Sequence, residues 1–225
     1  MLCVSIMAKD NEDALRKMAK AAPYADLYEL RLDAFKEFDL PLLVNAATKP
    51  LLITYRSKKE GGLGTAPYRI RLQYLTEAIS LGVEYVDLEY SIPLEYRAPL
   101  LNNRGHSKII ISKHLRNATP RPATLRQWLQ KLVATGADII KIVTKANEPS
   151  DNLRVLGLIP LAGQLGVPII AFCMGEMGKI SRLACIIMGG LMTFASVDEN
   201  TVSAPGQISA AHMTRMLEIL NAGYR

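Results

Sequence analysis

The chain has 225 residues, of which 49% are hydrophobic and 21% are charged. This composition excludes a disordered chain, a collagen-like repeat and a small disulfide-stapled domain, because there is enough apolar surface for a full core. The 27 basic and 21 acidic residues give a net charge of +6, but no basic run is long enough to form a nucleic-acid-binding tail. We therefore expect a small anionic ligand, and not nucleic acid, to account for the positive surplus.

Cysteine usage and apolar runs bear on the compartment. Cys3, Cys173 and Cys185 are odd in number and widely spaced, which is typical of proteins in a reducing cytoplasm. The apolar run at residues 2–8 is too short for a signal peptide. The uncharged stretch at residues 183–197 is shorter than a membrane span and contains glycines. We expect a cytoplasmic protein that does not bind membranes.

Short apolar runs alternate along the chain with longer amphipathic stretches, which is the pattern of βα units around a parallel sheet. The predicted strands cover residues 2–7, 27–32, 51–55, 85–89, 108–112, 139–143, 169–172 and 192–195. The predicted helices cover residues 12–20, 40–46, 68–81, 94–102, 123–135, 152–165, 179–188 and 208–220.

Eight strands in alternation with eight helices favour an α/β fold of the (β/α)₈ or TIM-barrel type. An open doubly wound sheet is the alternative, but it usually has fewer strands. It also needs a glycine-rich first turn, and residues 8–11 read Ala-Lys-Asp-Asn. The chain contains no linker, low-complexity segment or internal repeat, so we predict a single domain over residues 1–225.

Charged residues occur at or just beyond the C-terminal ends of several predicted strands, the face on which barrel enzymes build their active sites. Side-chain alternation places Glu29, Arg31 and Asp33 on one face of the second strand. The strands that follow end in further polar residues, namely Arg56, Asp87, Glu89, Ser112, Lys113 and His114. An ion pair at the rim would explain any one of these residues, but the set favours an active site at one mouth of the barrel.

Lys141 is the strongest single signal, because it lies within the apolar run 139–143 that a barrel buries on both faces. Burial lowers the pKa of an ammonium group, and the neutral amine is a nucleophile that forms a Schiff base with a carbonyl. A permanent ion pair with Asp87 or Glu89 is the structural alternative, although arginine is the more usual residue for such pairs. We favour the chemical role.

Two further segments carry candidate functional residues. His114 is the only histidine at a predicted strand end and suits general acid–base catalysis, with a structural histidine as the alternative. Residues 175–181 do not fit a phosphate loop, but Arg182 in the first turn of the next helix predicts a carboxylate site. The long loop at residues 196–207 is typical of segments that close over ligands. No His or Cys spacing suggests a metal site.

The sequence carries seven short motifs in order: Glu29-Leu30-Arg31-Leu32-Asp33, Thr54-Tyr55-Arg56 with Glu60-Gly61-Gly62, Asp87-Leu88-Glu89, Ser112-Lys113-His114, Ile140-Lys141-Ile142, Met177-Gly178 with Ser181-Arg182, and Ser203-Ala204-Pro205-Gly206-Gln207. In this order the motifs resemble the type I 3-dehydroquinate dehydratases, the Schiff-base enzymes of the shikimate pathway. Each motif alone is weak, but the set spans nearly the whole chain and the last pentapeptide is specific.

The resemblance implies a lyase without cofactor or metal that dehydrates 3-dehydroquinate to 3-dehydroshikimate by syn elimination, the third step of the shikimate pathway to aromatic amino acids. Lys141 would form an imine with the C3 ketone. His114 would remove the C2 proton and then protonate the departing C1 hydroxyl, and Glu60 would orient His114. The implied substrate contacts are Arg182, Ser203 and Gln207 at the carboxylate and its neighbouring hydroxyl, Glu29, Arg31 and Arg56 at the C4 and C5 hydroxyls, and Ser5 at the end of the first strand.

The sequence departs from the family pattern after the histidine. The family commonly continues with Asp-Phe and then Thr-Pro, whereas this chain reads Leu115-Arg116-Asn117 with Thr119-Pro120 further on. Two other functions stay open at this point: an aldolase acting on a phosphorylated sugar, and a non-catalytic binding module on the same barrel. A homodimer and a fusion to a shikimate dehydrogenase, as found in some organisms, also stay open.

Overall fold

The computed structural model describes residues 1–201 and 203–221. Its eight strands run parallel in one sheet in the order β7-β6-β5-β4-β3-β2-β1-β8, so a barrel nearly closes and the predicted (β/α)₈ architecture is confirmed. Between β7 and β8 the backbone N–H of Leu191 donates to Ile169 at 2.8 Å. The strands are β1 (Leu2–Ile6), β2 (Leu27–Arg31), β3 (Leu51–Thr54), β4 (Tyr85–Glu89), β5 (Lys108–Leu115), β6 (Ile139–Lys145), β7 (Ile169–Met174) and β8 (Thr193–Ser196).

Helices follow the strands at the predicted places, and two of them begin at aspartate caps. Asp10 and Asp39 each accept a hydrogen bond from a backbone N–H in the first turn of the following helix. In the described part of the chain the α-helices are α1 (Asn11–Ala21), α2 (Leu40–Ala46), α3 (Tyr68–Ser80), α4 (Leu94–Asn102), α5 (Pro122–Val133), α6 (Asp151–Leu156), α7 (Leu158–Gln164), α8 (Lys179–Ile187) and α9 (Ala210–Asn221).

The predicted helix at residues 152–165 is two helices, and this part of the prediction is wrong. Helix α6 ends at Leu156, Gly157 separates it from α7, and α7 carries Pro160 in its first turn. Proline has no N–H, so Pro160 cannot donate to the carbonyl four residues earlier and the hydrogen-bond ladder is interrupted there. The apolar periodicity continues through the break, and for this reason the sequence pattern did not show it.

Strand β5 is longer than predicted, and this places the histidine. The prediction ended the strand at Ser112, whereas the structure continues it to Leu115 and pairs His114 with Val143 of β6. The backbone of His114 is therefore fixed by the sheet and does not belong to a loop. Strands β6 and β7 also extend beyond their predicted ends, to Lys145 and Met174.

The buried residues of the strands are mostly apolar on both faces of the barrel wall. Ile109, Ile110 and Ile111 of β5 are all fully buried, as expected for a strand with helices on one face and the barrel interior on the other. Further along the strands, buried charged residues replace the aliphatic ones on the inward face, as with Glu29 and Lys141. The fold therefore gathers the charges at one end of the barrel. No helix in residues 1–201 or 203–221 combines the length and apolar character that crossing a membrane requires.

Candidate active site

A cavity of about 250 Å³ opens at the C-terminal ends of the strands. Its wall contains every residue that the sequence analysis named as catalytic or substrate-binding: Ser5, Glu29, Arg31, Arg56, Glu60, His114, Lys141, Arg182, Ser203 and Gln207. These residues come from β1, β2, β5 and β6, from helix α8 and from the loops after β3 and β8. The fold thus brings together side chains that are up to about two hundred positions apart in the sequence.

Lys141 projects from β6 into this cavity and is almost fully buried. Its Nζ lies 3.2 Å from Oδ2 of Asp87 and 3.9 Å from Oε1 of Glu29. The same nitrogen lies 3.9 Å from the ring centroid of Phe194. The ion pair that the sequence left as an alternative is therefore present with Asp87, while Glu89 pairs with other residues. Because Lys141 also faces the cavity, the ion pair holds it next to any ligand bound there.

Arg56 ties the carboxylates behind the lysine into one network. Its Nη2 lies 2.7 Å from Oδ2 of Asp87, and its Nη1 lies 3.4 Å from Oε1 of Glu89. Ser112 accepts a hydrogen bond from Arg56 at 2.9 Å and donates one to Asp87 at 2.6 Å. Burial alone would raise the pKa of Asp87, but Arg56 and Lys141 hold this pKa well below its ordinary value. Asp87 is therefore a permanent anion at neutral pH.

Two polar residues of β2 have neighbouring partners that fix their side chains. Glu29 accepts hydrogen bonds from Ser5 at 2.6 Å and from Thr54 at 2.9 Å. Arg31 makes two hydrogen bonds to Asp33, at 2.8 and 2.7 Å. The predicted common face holds for Glu29 and Arg31, which line the cavity, whereas Asp33 lies in the 3₁₀ turn beyond the strand and orients Arg31. Such bidentate pairs give geometric precision as well as energy.

His114 contacts Glu60, which lies on a 3₁₀ turn after β3. Nδ1 of His114 is 3.2 Å from Oε2 of Glu60, and the backbone N–H of His114 points to the same oxygen at 3.3 Å. The turn is closed by Ser57, whose hydroxyl accepts from the backbone N–H of Glu60 at 3.2 Å. When Nδ1 carries the proton and donates a hydrogen bond to Oε2 of Glu60, Nε2 is free to act as a base. Sequence reasoning named both residues, and the structure places them in contact.

Burial and neighbouring cations set the protonation state of His114. Burial lowers the pKa of His114 well below its ordinary value, and the positive charges of Arg56 and Lys141 lower it further. Asp87 acts in the opposite direction but does not reverse the shift. At neutral pH the imidazole is therefore neutral and can accept a proton from a ligand.

Arg182 differs from the other charged residues of the cavity, because no carboxylate of residues 1–201 or 203–221 pairs with it. Only 1% of the residue is exposed, its guanidinium lies 4.6 Å from the ring centroid of Phe172, and its Nε has no hydrogen-bond partner among the described residues. Its Nη2 donates to the carbonyl of Pro205 at 3.3 Å. Burial lowers the pKa of Arg182 to about 10. A buried cation in a cavity wall that lacks a carboxylate partner can take a ligand anion as its partner.

The loop after β8 lies against Arg182. Oε1 of Gln207 accepts hydrogen bonds from the backbone and the hydroxyl of Ser203, at 2.7 and 2.9 Å. The carbonyl of Pro205 accepts from the backbone N–H of Gly175 at 3.0 Å. Gly206 has φ +73°, and a Cβ there would lie 2.1 Å from the carbonyl oxygen of Gly175. Only glycine fits this contact, which holds the predicted pentapeptide over the cavity.

Several residues of the cavity wall were not named as functional by the sequence analysis, among them Arg116, Lys145, Phe172 and Phe194. The two phenylalanines lie in apolar strands and are indistinguishable in the sequence from residues that pack against helices. Lys145 could have been found, because the period of two along β6 puts it on the same face as Lys141. In the described part of the chain, no group of three or more histidine, cysteine or carboxylate side chains is arranged to hold a metal ion.

The chain resembles known proteins in both sequence and fold. A sequence model of the family "Type I 3-dehydroquinase" matches residues 2–223. The chain is similar to the 3-dehydroquinate dehydratase of Pyrococcus abyssi, with 33% identity over 223 residues, 99% of this chain and 100% of that protein. It is also similar to the bifunctional 3-dehydroquinate dehydratase/shikimate dehydrogenase of Arabidopsis thaliana, with 35% identity over 213 residues, 92% of this chain and 35% of that protein.

Solved structures give the same result. The type I 3-dehydroquinate dehydratase of Clostridium difficile has a TM-score of 0.87 and 29% identity to this chain, over 99% of this chain and 92% of that one. Sequence and fold thus agree over almost the full length, and the chain belongs to the type I 3-dehydroquinase family.

Proposed function

We propose that Lys141, His114 and Glu60 carry out the dehydration of 3-dehydroquinate in this cavity. Membership of the family makes the chain a 3-dehydroquinate dehydratase, a lyase of the shikimate pathway. The observation that carries the residue assignment is the placement of Lys141 in one cavity wall with a histidine–carboxylate pair and an unpaired arginine. These three features match an imine-forming amine, an acid–base group and a carboxylate site.

The first step joins the substrate to Lys141. The ammonium of Lys141 first releases one proton, and the neutral amine then attacks the C3 ketone. The released proton leaves with the ketone oxygen as water, and the nitrogen becomes a protonated imine. Asp87 and Glu29 lie within 4 Å of Nζ and stabilise its positive charge before and after this step. The protonated imine withdraws electrons from the neighbouring carbon, so that the C2–H bond becomes acidic enough for a histidine to break.

The second step is the elimination. Nε2 of His114 takes the proton from C2, and the electron pair of that bond moves to the imine to give an enamine. The enamine then expels the C1 hydroxyl, which His114 protonates so that it leaves as water and the C1–C2 double bond forms. Because one imidazole takes the first proton and delivers the second, both groups leave from the same face of the ring. Hydrolysis of the imine releases 3-dehydroshikimate and restores Lys141.

Substrate orientation comes from two sides of the cavity. The carboxylate would bind Arg182, whose Nε is unsatisfied, together with Ser203 and Gln207 of the loop. The ring hydroxyls would meet the polar groups fixed on the opposite side, which are Glu29, Arg31, Arg56 and Ser5. Charged donors that are already positioned lose little entropy on binding, which favours a rigid polyhydroxylated ring.

We place this activity in the cytoplasm, where reducing conditions suit three free cysteines.

The decisive experiment traps the imine. Incubation with 3-dehydroquinate and sodium borohydride should reduce the imine to a stable secondary amine, and peptide mass spectrometry should find it on Lys141. The Lys141→Met variant should show no adduct. Lys145→Met is the matched control, because Lys145 lines the same cavity, and this variant should label as the wild type does.

The same assay separates binding from elimination. His114→Gln should still form the adduct, while turnover falls by roughly 10² to 10⁴, the usual contribution of general acid–base catalysis. An adduct on Lys145, or a folded wild-type protein that gives no adduct, would refute the assignment of Lys141. An aldolase acting on phosphorylated sugars would instead label with those substrates and leave 3-dehydroquinate unchanged.

A further inference from the structure

The carboxylate of Glu60 has a second side that the proposed mechanism does not use. Its Oε2 faces His114, whereas Oε1 is buried and accepts no hydrogen bond from any described residue. The charged group that faces Oε1 is the ammonium of Lys113, at 3.5 Å. Arg56 also lies near the carboxylate, but on the side of Oε2, at 3.8 Å. Glu60 is thus held between a lysine on one oxygen and the histidine on the other.

Lys113 is held in this position from its other side. It precedes His114 in β5, and its side chain is only 18% exposed. Its Nζ lies 5.4 Å from the ring centroid of Trp128 on α5, within the range of a cation–π interaction. Lys131 lies on the same ring at 5.2 Å, but it is exposed and has no ion pair in residues 1–201 or 203–221. Two lysines therefore share one aromatic ring, and only Lys113 reaches the active-site carboxylate.

We propose that Lys113 is a positioning residue for the acid–base pair, holding Glu60 by Oε1 so that Oε2 stays on Nδ1 of His114. The inference rests on the proposed role of His114 as the base. Lys113 does not line the cavity, so it acts through Glu60 and does not touch the substrate. Lys113 thereby keeps the carboxylate of Glu60 in one orientation and compensates part of the negative charge of Glu60.

Loss of Lys113 should change both the rate and its pH dependence. A less restrained Glu60 orients the imidazole less well, which lowers kcat. The charge of Glu60 would also be less compensated, so it would stabilise the imidazolium more strongly and raise the pKa of His114. The other charged groups around His114 are Arg31, Arg56, Asp87 and Lys141, and all of them remain in place. Since the neutral imidazole is the active form, the acid limb of the kcat profile should move to higher pH.

The test compares Lys113→Met with Lys131→Met, which removes the other lysine from the same tryptophan. In Lys113→Met we expect kcat to fall roughly tenfold, within the range of coupling between neighbouring residues. KM should change less than about twofold, because the substrate contacts are intact. The acid limb should shift upward in this variant alone. Lys113→Arg should recover most of the rate, since it restores a cation opposite Oε1.

A double-mutant cycle with Glu60→Gln assigns the effect to the ion pair. If Lys113 acts through Glu60, Lys113→Met should have little further effect on kcat in the Glu60→Gln background. Trp128 is the sole tryptophan, so its fluorescence reports whether α5 remains packed in each variant. A wild-type pH profile in Lys113→Met, or an undiminished effect in the Glu60→Gln background, would overturn the inference while leaving the proposed function intact. Wild-type kinetics in Glu60→Gln itself would refute the role of the pair and the inference together.

Discussion

The two sides of the cavity handle buried charge in opposite ways. On the side formed by β2 to β6, each buried cation has a carboxylate partner within 4 Å, as in the pairs Arg31–Asp33, Arg56–Asp87 and Lys141–Asp87. On the side formed by β7, β8 and α8, Arg182 has aromatic and backbone neighbours but no carboxylate in the described part of the chain. On the first side the protein itself supplies a counter-ion for each buried cation, whereas on the second side a ligand would have to supply it.

This difference implies that the paired side contributes fixed side-chain geometry and that the unpaired side contributes affinity for the substrate. The attraction between paired charges offsets much of the desolvation penalty of burying them, so these side chains keep their geometry whether or not substrate is present. An unpaired guanidinium lacks this compensation until an anion arrives, and part of the binding energy of the substrate is the relief of that cost. We expect substitution of a partner carboxylate on the paired side to act mainly on folding, and substitution of Arg182 on the unpaired side to act mainly on substrate affinity.

The largest effect should follow from breaking the paired side at Asp87. In Asp87→Asn, Arg56 and Lys141 lose the carboxylate that lies between them at 2.7 and 3.2 Å. Removal of one partner from a buried charge network leaves uncompensated charge, and the free energy of unfolding should fall by about 3–5 kcal/mol. Urea denaturation followed by circular dichroism measures this change.

Asp198→Asn is the matched control for this substitution. Asp198 pairs with Lys20 at 2.6 Å, a shorter distance than that between Lys141 and Asp87, but both side chains are partly exposed. Surface ion pairs contribute little, so the loss should be about 1 kcal/mol or less. Equal losses of unfolding free energy in Asp87→Asn and Asp198→Asn would show that burial does not make an ion pair more important for stability. The paired side of the cavity would then have no special role in folding.

Arg182→Met should act in the opposite sense on the unpaired side. The substrate carboxylate would lose its buried partner, so kcat/KM should fall roughly 30- to 150-fold. This corresponds to a loss of about 2–3 kcal/mol of transition-state stabilisation. The free energy of unfolding should rise by about 1 kcal/mol, because an apolar side chain of similar length replaces an unpaired charge. Steady-state kinetics and urea denaturation on the same preparation test the two parts together.

Arg97 provides the control for this prediction. It too is a buried arginine with unsatisfied nitrogens, it lies 4.7 Å from the ring centroid of Tyr90, and burial lowers its pKa. It is absent from the cavity wall, so Arg97→Met should gain stability in the same way without loss of kcat/KM. If Arg182→Met proved less stable than the wild type, Arg182 would be contributing to the fold and not only to the ligand site.

The sequence predicted the barrel, and it named residues that the fold places around one cavity, but it predicted few of their contacts. Alternating apolar runs report burial, and strand C-terminal ends in a parallel barrel meet at one face, so Lys141, His114 and Arg182 could be gathered without coordinates. Which carboxylate Lys141 selects depends on the register between strands, and the sequence left Asp87 and Glu89 as alternatives. Lys113 could not be assigned a partner because its contact with Glu60 is set by a turn that no periodicity describes.

The smallest predicted effect concerns the pH dependence of stability and isolates one group on the paired side. The pKa of His114 lies below the ordinary value of 6.5 because of burial and the charges of Arg56 and Lys141. Below pH 6.5 the imidazole of His114 therefore binds a proton in the unfolded chain but stays neutral in the native protein until the pH reaches its lower native pKa. The stability contributed by the neutral imidazole is complete above pH 6.5 and is lost as the pH falls through the native pKa, with a slope of up to about 1.4 kcal/mol per pH unit.

His114→Gln should flatten this part of the stability profile. Glu89, whose pKa is raised by burial, acts in the opposite direction above pH 4.5, but it is present in both proteins and cancels in the difference. His106→Gln, at an exposed histidine, is the control and should keep the wild-type slope. The measurement is the free energy of unfolding between pH 5 and 7. An unchanged slope in His114→Gln would mean that the native imidazole takes up its proton as readily as the unfolded chain does. The neighbouring cations would then not be keeping His114 neutral, and its readiness as a base would need another cause.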